Sequence, residues 1–280
     1  MITFVKNWFA PTFIDFACNW LEHEYARHAP VSLPKKRQLL EKSVFPFIGQ
    51  KRITHVKYQD IVKIILAYRQ TAPRSAKKLA QILYRIFNYA NAVCDYRIDN
   101  PVKKELKLIT TTPEKGGEFA VLELHELPDF FAEIDKLKVK KPETKTAFWL
   151  LSYTALRRSE VMRANWEEIN FKDKVWTIPQ ERMKTRNAHH VIPLSPQVID
   201  LLLLLQKQTG RQSGKLFEID PATPLRLCTA AGYKNRMTLH GLRKVFSTYA
   251  HESRLWSIDA IEIQLSHLIP GVRGVYNKAL

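Results

Sequence analysis

Apolar side chains in the first hundred residues recur every three to four positions, which is the spacing of one face of an α-helix. This spacing predicts helices over residues 12–27, 32–44, 59–68 and 75–94. Thr12 and Ser32 stand where the first two helices need an N-terminal cap. A proline and a glycine in Phe45-Pro-Phe-Ile-Gly are expected to break the pattern after the second helix. The pattern therefore predicts an all-helical domain over residues 1–108.

The pattern changes beyond this domain. Residues 109–120 contain threonines, a proline and two glycines without periodicity, which predicts a linker. Helical spacing then returns, and three short runs that begin at Glu168, Lys174 and His190 alternate or are wholly apolar between turn residues. We therefore expect residues 121–280 to form an α+β domain with a three-stranded antiparallel sheet, so that the whole chain is mainly α.

Two apolar runs could be mistaken for membrane segments. The run from Ile2 to Leu21 is interrupted by charged residues and a proline and lacks a small-residue cleavage site, so an amphipathic helix is the better interpretation. Leu201 to Leu205 is far shorter than the about 20 apolar residues that span a bilayer, and it predicts a buried helix. No membrane partner is expected.

The net charge of the chain indicates what kind of partner it binds. The chain has 280 residues, with 44 Lys and Arg against 27 Asp and Glu, a formal net charge of +17. Such an excess fits a polyanion, because neutralising phosphates releases counterions from nucleic acid. An anionic membrane surface or a ribosomal role fits less well, since the chain has neither a polybasic amphipathic helix nor a long disordered tail. Double-stranded DNA is the expected partner.

Basic residues cluster where the predicted helices of the first domain begin or end. Any one cluster could be a solvated helix face, but three of them suit contact with the backbone of a duplex. The candidate DNA-binding residues are Lys35, Lys36, Arg37, Arg74, Lys77, Lys78, Lys103 and Lys104.

The cysteines indicate the compartment. Cys18, Cys94 and Cys228 are odd in number and scattered, so neither a disulfide framework nor a zinc site is indicated. A cytoplasmic protein that uses no metal and no cofactor is expected. His189 and His190 are adjacent but have no third ligand nearby, which favours a strand-edge role over a metal site.

The last quarter of the chain carries groups that can bind a phosphodiester and attack it. His240 and Arg243 share one helix face if Thr238 caps that helix, close to its positive end. Tyr276 is a phenol that needs neighbouring cations to become a nucleophile, and His267 lies nine residues before it. Each fragment alone more often belongs to a solvated face or to ordinary packing.

A second cluster precedes this one in the chain. Arg157 falls in a predicted turn between two helices, and Glu160 lies three residues on, where it could orient the guanidinium or merely form a capping ion pair. Lys184 falls in a predicted hairpin, where it is either solvated or able to protonate a leaving oxygen.

Together these segments resemble the tyrosine recombinase, or phage integrase, family. The resemblance rests on Thr154-Ala-Leu-Arg-Arg-Ser-Glu, Lys184, His240-Gly-Leu-Arg, His267 and Tyr276, in order and at suitable separations. Phe45-Pro-Phe-Ile-Gly, Ile86-Phe-Asn-Tyr-Ala and Asn100-Pro101 are similar to the helical core-binding domain of genomic-island and satellite-phage integrases. The resemblance covers nearly the whole chain.

The resemblance implies a role for each of these residues. Tyr276 would attack the scissile phosphate and form a 3′-phosphotyrosyl link. Arg157 and Arg243 would bind the non-bridging oxygens, and Lys184 would protonate the leaving 5′-oxygen. His240 would assist the proton transfer of the tyrosine, His267 would hydrogen-bond the phosphate, and Glu160 would support the arginines. Neither metal nor ATP would be needed.

The resemblance also implies a synaptic tetramer on DNA and an accessory directionality factor, acting at the bacterial nucleoid. The chain departs from the family at four places: Ala155 replaces the usual glycine, Val245 replaces a common threonine, no arm-binding domain is evident before residue 1, and Leu280 follows Tyr276 by four residues. A DNA-binding relic without activity and a type IB topoisomerase-like activity therefore remain as alternatives. The target site, and whether the reaction is integration, excision or inversion, do not follow from the sequence.

Overall fold

The structure is a computed structural model that describes residues 11–27, 33–94, 97–111, 120–183 and 189–267. The chain divides into two compact units, residues 1–116 and 117–280. Each unit has its own hydrophobic core. The chain is mainly helical, with one small three-stranded antiparallel sheet in the second unit, which confirms the predicted fold class.

The described part of the first unit is helical. Its helices are α1 (Phe13–Arg27), α2 (Leu33–Ser43), α3 (Phe45–Ile48), α4 (Tyr58–Thr71), α5 (Ala76–Val93) and α6 (Leu106–Thr110). Thr12 caps α1 as predicted: its N–H donates to the Asp15 carboxylate at 2.8 Å, and its hydroxyl accepts from the Asp15 N–H. Helix α5 forms the centre of the core and buries the predicted face, Leu79, Ile82, Leu83, Ile86, Phe87 and Ala90.

Two predictions for this unit are wrong in detail. The segment Phe45–Ile48 is helical, because Pro46 lies in the first turn, where its missing N–H is not needed for a helical bond. Residues 106–110 form α6, although 109–120 was predicted to be a linker without regular structure. Burial of Leu106 and Thr110 stabilises α6 where the sequence shows no helical periodicity.

The second unit carries the sheet and the remaining described helices. Its helices are α7 (Leu127–Lys136), α8 (Pro142–Thr154), α9 (Arg158–Met162), α10 (Pro196–Thr209), α11 (Thr223–Ala230), α12 (Leu239–Ser253) and α13 (Ile258–Gln264). Its strands are β1 (Ile169–Asn170), β2 (Val175–Ile178) and β3 (His190–Pro193), in the order β1-β2-β3 with both pairs antiparallel. Trp176 is paired with Ile169 and Ile192 and is fully buried, so the sheet packs one face on the core.

Helix α8 is the central element of the second unit and packs against α10, α11 and α12. This buried helix ends at Thr154, directly before the turn that contains Arg157. The prediction that Leu201–Leu205 belong to a buried helix is confirmed for one face only: Leu202 and Leu205 are buried, but Leu203 and Leu204 are about half exposed, at 48% and 49%. One face of α10 therefore meets the core and the other meets solvent.

Among the described residues, no helix combines the length and the apolar character that crossing a bilayer requires. Residues 1–10, which include the first nine of the 20 residues of the apolar N-terminal run, and Ser32 lie outside the described residues.

Candidate active site

Arg157 lies in the turn between α8 and α9, where the sequence predicts it, and it begins α9 as the N-cap residue. The Glu160 carboxylate accepts from the Arg157 backbone N–H at 2.8 Å and from its Nη1 at 2.9 Å. Glu160 is only 1% exposed. The two interpretations offered for this pair are both correct, because one buried carboxylate caps the helix and orients the guanidinium.

Arg243 lies on α12 and is 5% exposed. Its Nη1 donates to the Ala155 carbonyl at 2.7 Å, and its Nη2 donates to the Leu265 carbonyl. Burial, followed by the charge of Arg157, lowers the pKa of Arg243 to about 10. The guanidinium therefore stays protonated at neutral pH while it is held away from bulk water.

Ala155 ends α8 in the left-handed region, with φ of 52°, and this conformation turns its carbonyl towards Arg243. A non-glycine residue is strained there by about 1–2 kcal/mol. This strain accounts for the glycine that the family usually has at the position. Full burial of the alanine methyl group offsets part of it.

Both arginines are fastened to the same piece of chain, residues 263–267, which we call the arginine-binding turn. The Leu265 carbonyl accepts from Arg243. Ser266 accepts from Arg157 through its hydroxyl and, at 3.2 Å, through its carbonyl. Carbonyls at a helix C-terminus suit cations, because they carry the negative end of the helix dipole.

His267 joins this arrangement from the end of the same turn. Its Nε2 lies 3.1 Å from Arg243 Nη2, and its Nδ1 lies 2.8 Å from the Glu262 carboxylate. The other oxygen of Glu262 is 3.8 Å from His251 Nε2. Sequence reasoning missed Glu262; the available signal was an acid five residues before a candidate histidine.

His240 lies near the N-terminus of α12, and Thr238 caps this helix as predicted by accepting from the Gly241 N–H at 2.8 Å. Burial, followed by the charges of Arg243 and Arg157, lowers the pKa of His240, so the imidazole is neutral at pH 7. Glycine is required between the two site residues, because a Cβ on Gly241 would lie 2.5 Å from the Ala120 carbonyl oxygen.

A buried network supports the segment that precedes Lys184. The Glu168 carboxylate accepts from Trp176 Nε1 at 3.0 Å and from Arg182 Nη1. Arg182 Nη2 donates to the Glu160 carbonyl. The base of the predicted hairpin is thus tied to α9 at Glu160, the residue that orients Arg157. Sequence reasoning missed this network as well.

His190 is buried in β3, with 6% exposure, and its Nε2 lies 2.9 Å from the Ile263 carbonyl of α13. The prediction of a strand-edge role did not include this contact, because only the tertiary fold brings β3 beside α13. Burial lowers the pKa of His190, which keeps its ring neutral.

The structure thus brings Arg157, Glu160, Arg243 and His267 into contact and places His240 on the same helix as Arg243. Lys184 and Tyr276 lie outside the described residues. Within the described parts of the chain, no three His, Cys, Asp or Glu side chains are grouped to hold a metal ion.

The candidate DNA-binding residues of the first unit differ in exposure. The exposed side chains are Lys35, Arg37, Arg74, Lys77, Lys78, Lys103 and Lys104. Lys36 differs, since its Nζ lies 2.8 Å from the Glu24 carboxylate and 5.2 Å from the centre of the Trp20 ring, with only 15% of the side chain exposed. Its contacts hold α2 against α1.

Comparison with known proteins adds independent findings. The phage integrase family model matches residues 120–278, and the model of the phage integrase central domain matches residues 13–105. Prophage integrase IntZ of Escherichia coli is 34% identical over 250 residues, which cover 87% of this chain and 60% of that protein. The integrase of Enterobacteria phage P4 is 30% identical over 250 residues, which cover 81% of this chain and 56% of that protein. The chain thus spans little more than half the length of these relatives.

Solved structures share the fold. The integrase of transposon Tn1549 in complex with circular intermediate DNA has a TM-score of 0.66 at 17% identity, over 96% of both chains. A lambda integrase dimer bound to a COC′ core site has a TM-score of 0.69 at 13% identity, over 96% of this chain and 79% of that one. A lambda integrase tetramer bound to a Holliday junction has a TM-score of 0.66 at 14% identity, over 92% of this chain and 77% of that one.

Proposed function

This chain belongs to the phage integrase family, and from that premise we propose that it is a site-specific recombinase that cuts and rejoins DNA through a 3′-phosphotyrosyl intermediate. The observation that carries the proposal is the shared anchoring of Arg157 and Arg243. Both guanidinium groups are held by the arginine-binding turn, and Glu160 and Ala155 fix them from the other side. Two cations in fixed positions suit one phosphate better than two separate partners.

The arginines would stabilise the transition state of strand cleavage. Negative charge grows on the non-bridging oxygens as the nucleophile attacks phosphorus, and preorganised donors act most strongly where charge develops. Arg157 and Arg243 supply such donors, and His267 adds an imidazole beside Arg243. The bond to the leaving 5′-oxygen breaks as the bond to the tyrosine oxygen forms, so neither ATP nor an outside nucleophile is consumed.

Proton transfers would complete the reaction. Tyr276 would lose its proton as it attacks, and His240 would accept this proton because its ring is neutral near pH 7. Lys184 would donate a proton to the leaving 5′-oxygen. The network of Arg182 and Glu168 supports this role, because it fastens the chain just before Lys184 to α9.

The state of His240 gives this proposal a dependence on pH. Only the neutral ring accepts a proton, and the pKa of His240 lies below its usual value of about 6.5. The rate of strand cleavage should therefore be constant from pH 8 down to about pH 6.5 and should fall about tenfold per unit below the pKa. Single-turnover cleavage at subsaturating DNA, where the pH dependence reports the pKa values of the free protein, would be measured across this range. His240→Gln should cleave more slowly and should show no fall in rate at acidic pH. If the fall in rate persists in this variant, it is caused by another group.

The first unit would grip the duplex backbone through its exposed basic residues at the ends of α2, α5 and α6. Lys36 is left out of the proposed contacts because its ammonium group is bound to Glu24. Four copies would assemble on two recombining sites, by analogy with the lambda integrase tetramer bound to a Holliday junction. An accessory factor would set direction, and the bacterial nucleoid would be the place of action.

The test is capture of the covalent intermediate. The protein would be incubated in EDTA with a nicked duplex that carries the repeat flanking its encoding element, so that the cleaved fragment diffuses away and religation stops. A covalent complex with DNA attached through its 3′-phosphate to the peptide containing Tyr276 is the expected result. DNA binding without an adduct would instead support a DNA-binding relic. Relaxation of supercoiled DNA without the repeat would support the topoisomerase-like activity.

A further inference from the structure

His190 has a buried contact that the proposed mechanism does not use. It is the first residue of β3, and its Nε2 lies 2.9 Å from the Ile263 carbonyl. A carbonyl only accepts, so the imidazole proton is on Nε2. The other ring nitrogen, Nδ1, is buried and has no partner among the described residues. An apolar side chain would fill this space without a buried, unsatisfied ring nitrogen such as Nδ1. The feature that histidine adds at this position is therefore its Nε2–H donor.

The Ile263 carbonyl is part of the anchoring of both arginines. It also accepts from the Ser266 N–H at 2.8 Å, and Ser266 in turn accepts from Arg157. Leu265, between them, accepts from Arg243. His190 therefore donates to the same carbonyl that accepts from the Ser266 N–H within the arginine-binding turn.

A second side chain holds the same turn from another direction. Gln264 Nε2 donates to the Thr154 carbonyl at 2.7 Å, which ties the turn to the end of α8. The contact of His190 ties it to the sheet instead. The two contacts approach the turn from different elements, so each limits a different movement of the two guanidinium groups.

We propose that His190 is a positioning residue for strand cleavage, whose Nε2–H fixes the arginine-binding turn against β3 and so sets the placement of Arg157 and Arg243. This inference rests on the proposed function and goes beyond it, because it assigns a role in the reaction to a buried residue outside the proposed catalytic set. The ring acts as a neutral donor, in agreement with the effect of burial on its pKa.

The test compares donors at one position. Glutamine places its Nε2 about where imidazole has Nε2, asparagine reaches only as far as Nδ1, and phenylalanine keeps the ring without a donor. His190→Phe should slow adduct formation at saturating DNA, per folded molecule, by about tenfold, because small displacements of catalytic groups cost rate. DNA affinity should stay unchanged, and His190→Gln should restore most of the rate. If His190→Phe does not fold, His190→Asn takes its place. His189→Phe changes the adjacent, exposed histidine and is the matched control.

A second measurement does not depend on activity. Hydrogen–deuterium exchange over residues 258–267 should be faster in His190→Phe than in the wild type and should return to the wild-type rate in His190→Gln. Equal rates of adduct formation per folded molecule in His190→Phe and wild type would overturn the inference, and so would unchanged exchange in this segment. If the wild type forms no adduct, the proposed recombinase activity fails, and exchange alone decides whether His190 holds the turn.

Discussion

Arg243→Gln is expected to slow adduct formation by about a hundredfold to a thousandfold, the loss typical of removing a donor to a developing oxyanion. The variant should also be less stable. Arg243 is buried and satisfies the carbonyls of Ala155 and Leu265, which glutamine is too short to reach together. Each buried carbonyl left without a donor costs about 1–3 kcal/mol. Rate at saturating DNA and the free energy of unfolding in urea would measure the two effects separately.

Two further variants separate charge from geometry at this position. Arg243→Lys keeps a positive charge but cannot donate to both carbonyls and a phosphate from one planar group, so it should recover only part of the rate. Arg226→Gln removes an exposed guanidinium on α11 and should leave rate and stability near the wild-type values. Adduct formation by Arg243→Gln at the wild-type rate would show that Arg243 has a structural role only.

Glu160→Ala is expected to destabilise the second unit by about 2–3 kcal/mol and to slow adduct formation up to about a hundredfold. Glu160 is buried, and its loss removes the acceptor of the Arg157 N–H at the start of α9 and the carboxylate partner of the Arg157 guanidinium, which keeps its contacts with Ser266. The cost stays below that of a fully buried ion pair because 23% of the Arg157 side chain is exposed to water.

The design of this experiment separates orientation from stability. Glu160→Gln keeps one acceptor oxygen and should fall between the alanine variant and the wild type in both measurements. Glu181→Ala, which removes an exposed carboxylate from the same unit, is the control. A Glu160→Ala protein that is destabilised but cleaves normally per folded molecule would limit Glu160 to capping α9.

Local signals predicted much of the fold. The caps at Thr12 and Thr238 and the apolar face of α5 follow from residues within a few positions of one another, and all three predictions are confirmed. Two of the misses concern tertiary burial: α6 forms because its side chains pack on the core, and α10 exposes Leu203 and Leu204 because the core covers only one side of it.

The contacts of the site also divide into local ones, which the sequence predicts, and ones between distant positions, which it does not. The contact between Arg157 and Glu160 spans three residues and was predicted from the spacing. The contact between Arg243 and the Ala155 carbonyl spans 88 positions, and the contact of His190 with Ile263 spans 73. No pattern in one sequence shows which carbonyl a distant side chain will meet. For the same reason Lys36 was grouped with DNA-contacting residues, although a carboxylate twelve positions earlier holds it.

The acceptors in the arginine-binding turn are peptide carbonyls and a hydroxyl, which carry no formal charge. They orient the guanidinium groups without neutralising them, and Glu160 is the carboxylate that contacts Arg157. Acidic side chains in the same places would hold the same geometry, but their negative charges would cancel the positive field of the guanidinium groups. Orientation by neutral dipoles adds no negative charge beyond that of Glu160 and Glu262. The pocket therefore keeps more of its attraction for an anion than such acidic side chains would leave, and this attraction should decline only weakly as added salt screens the protein surface.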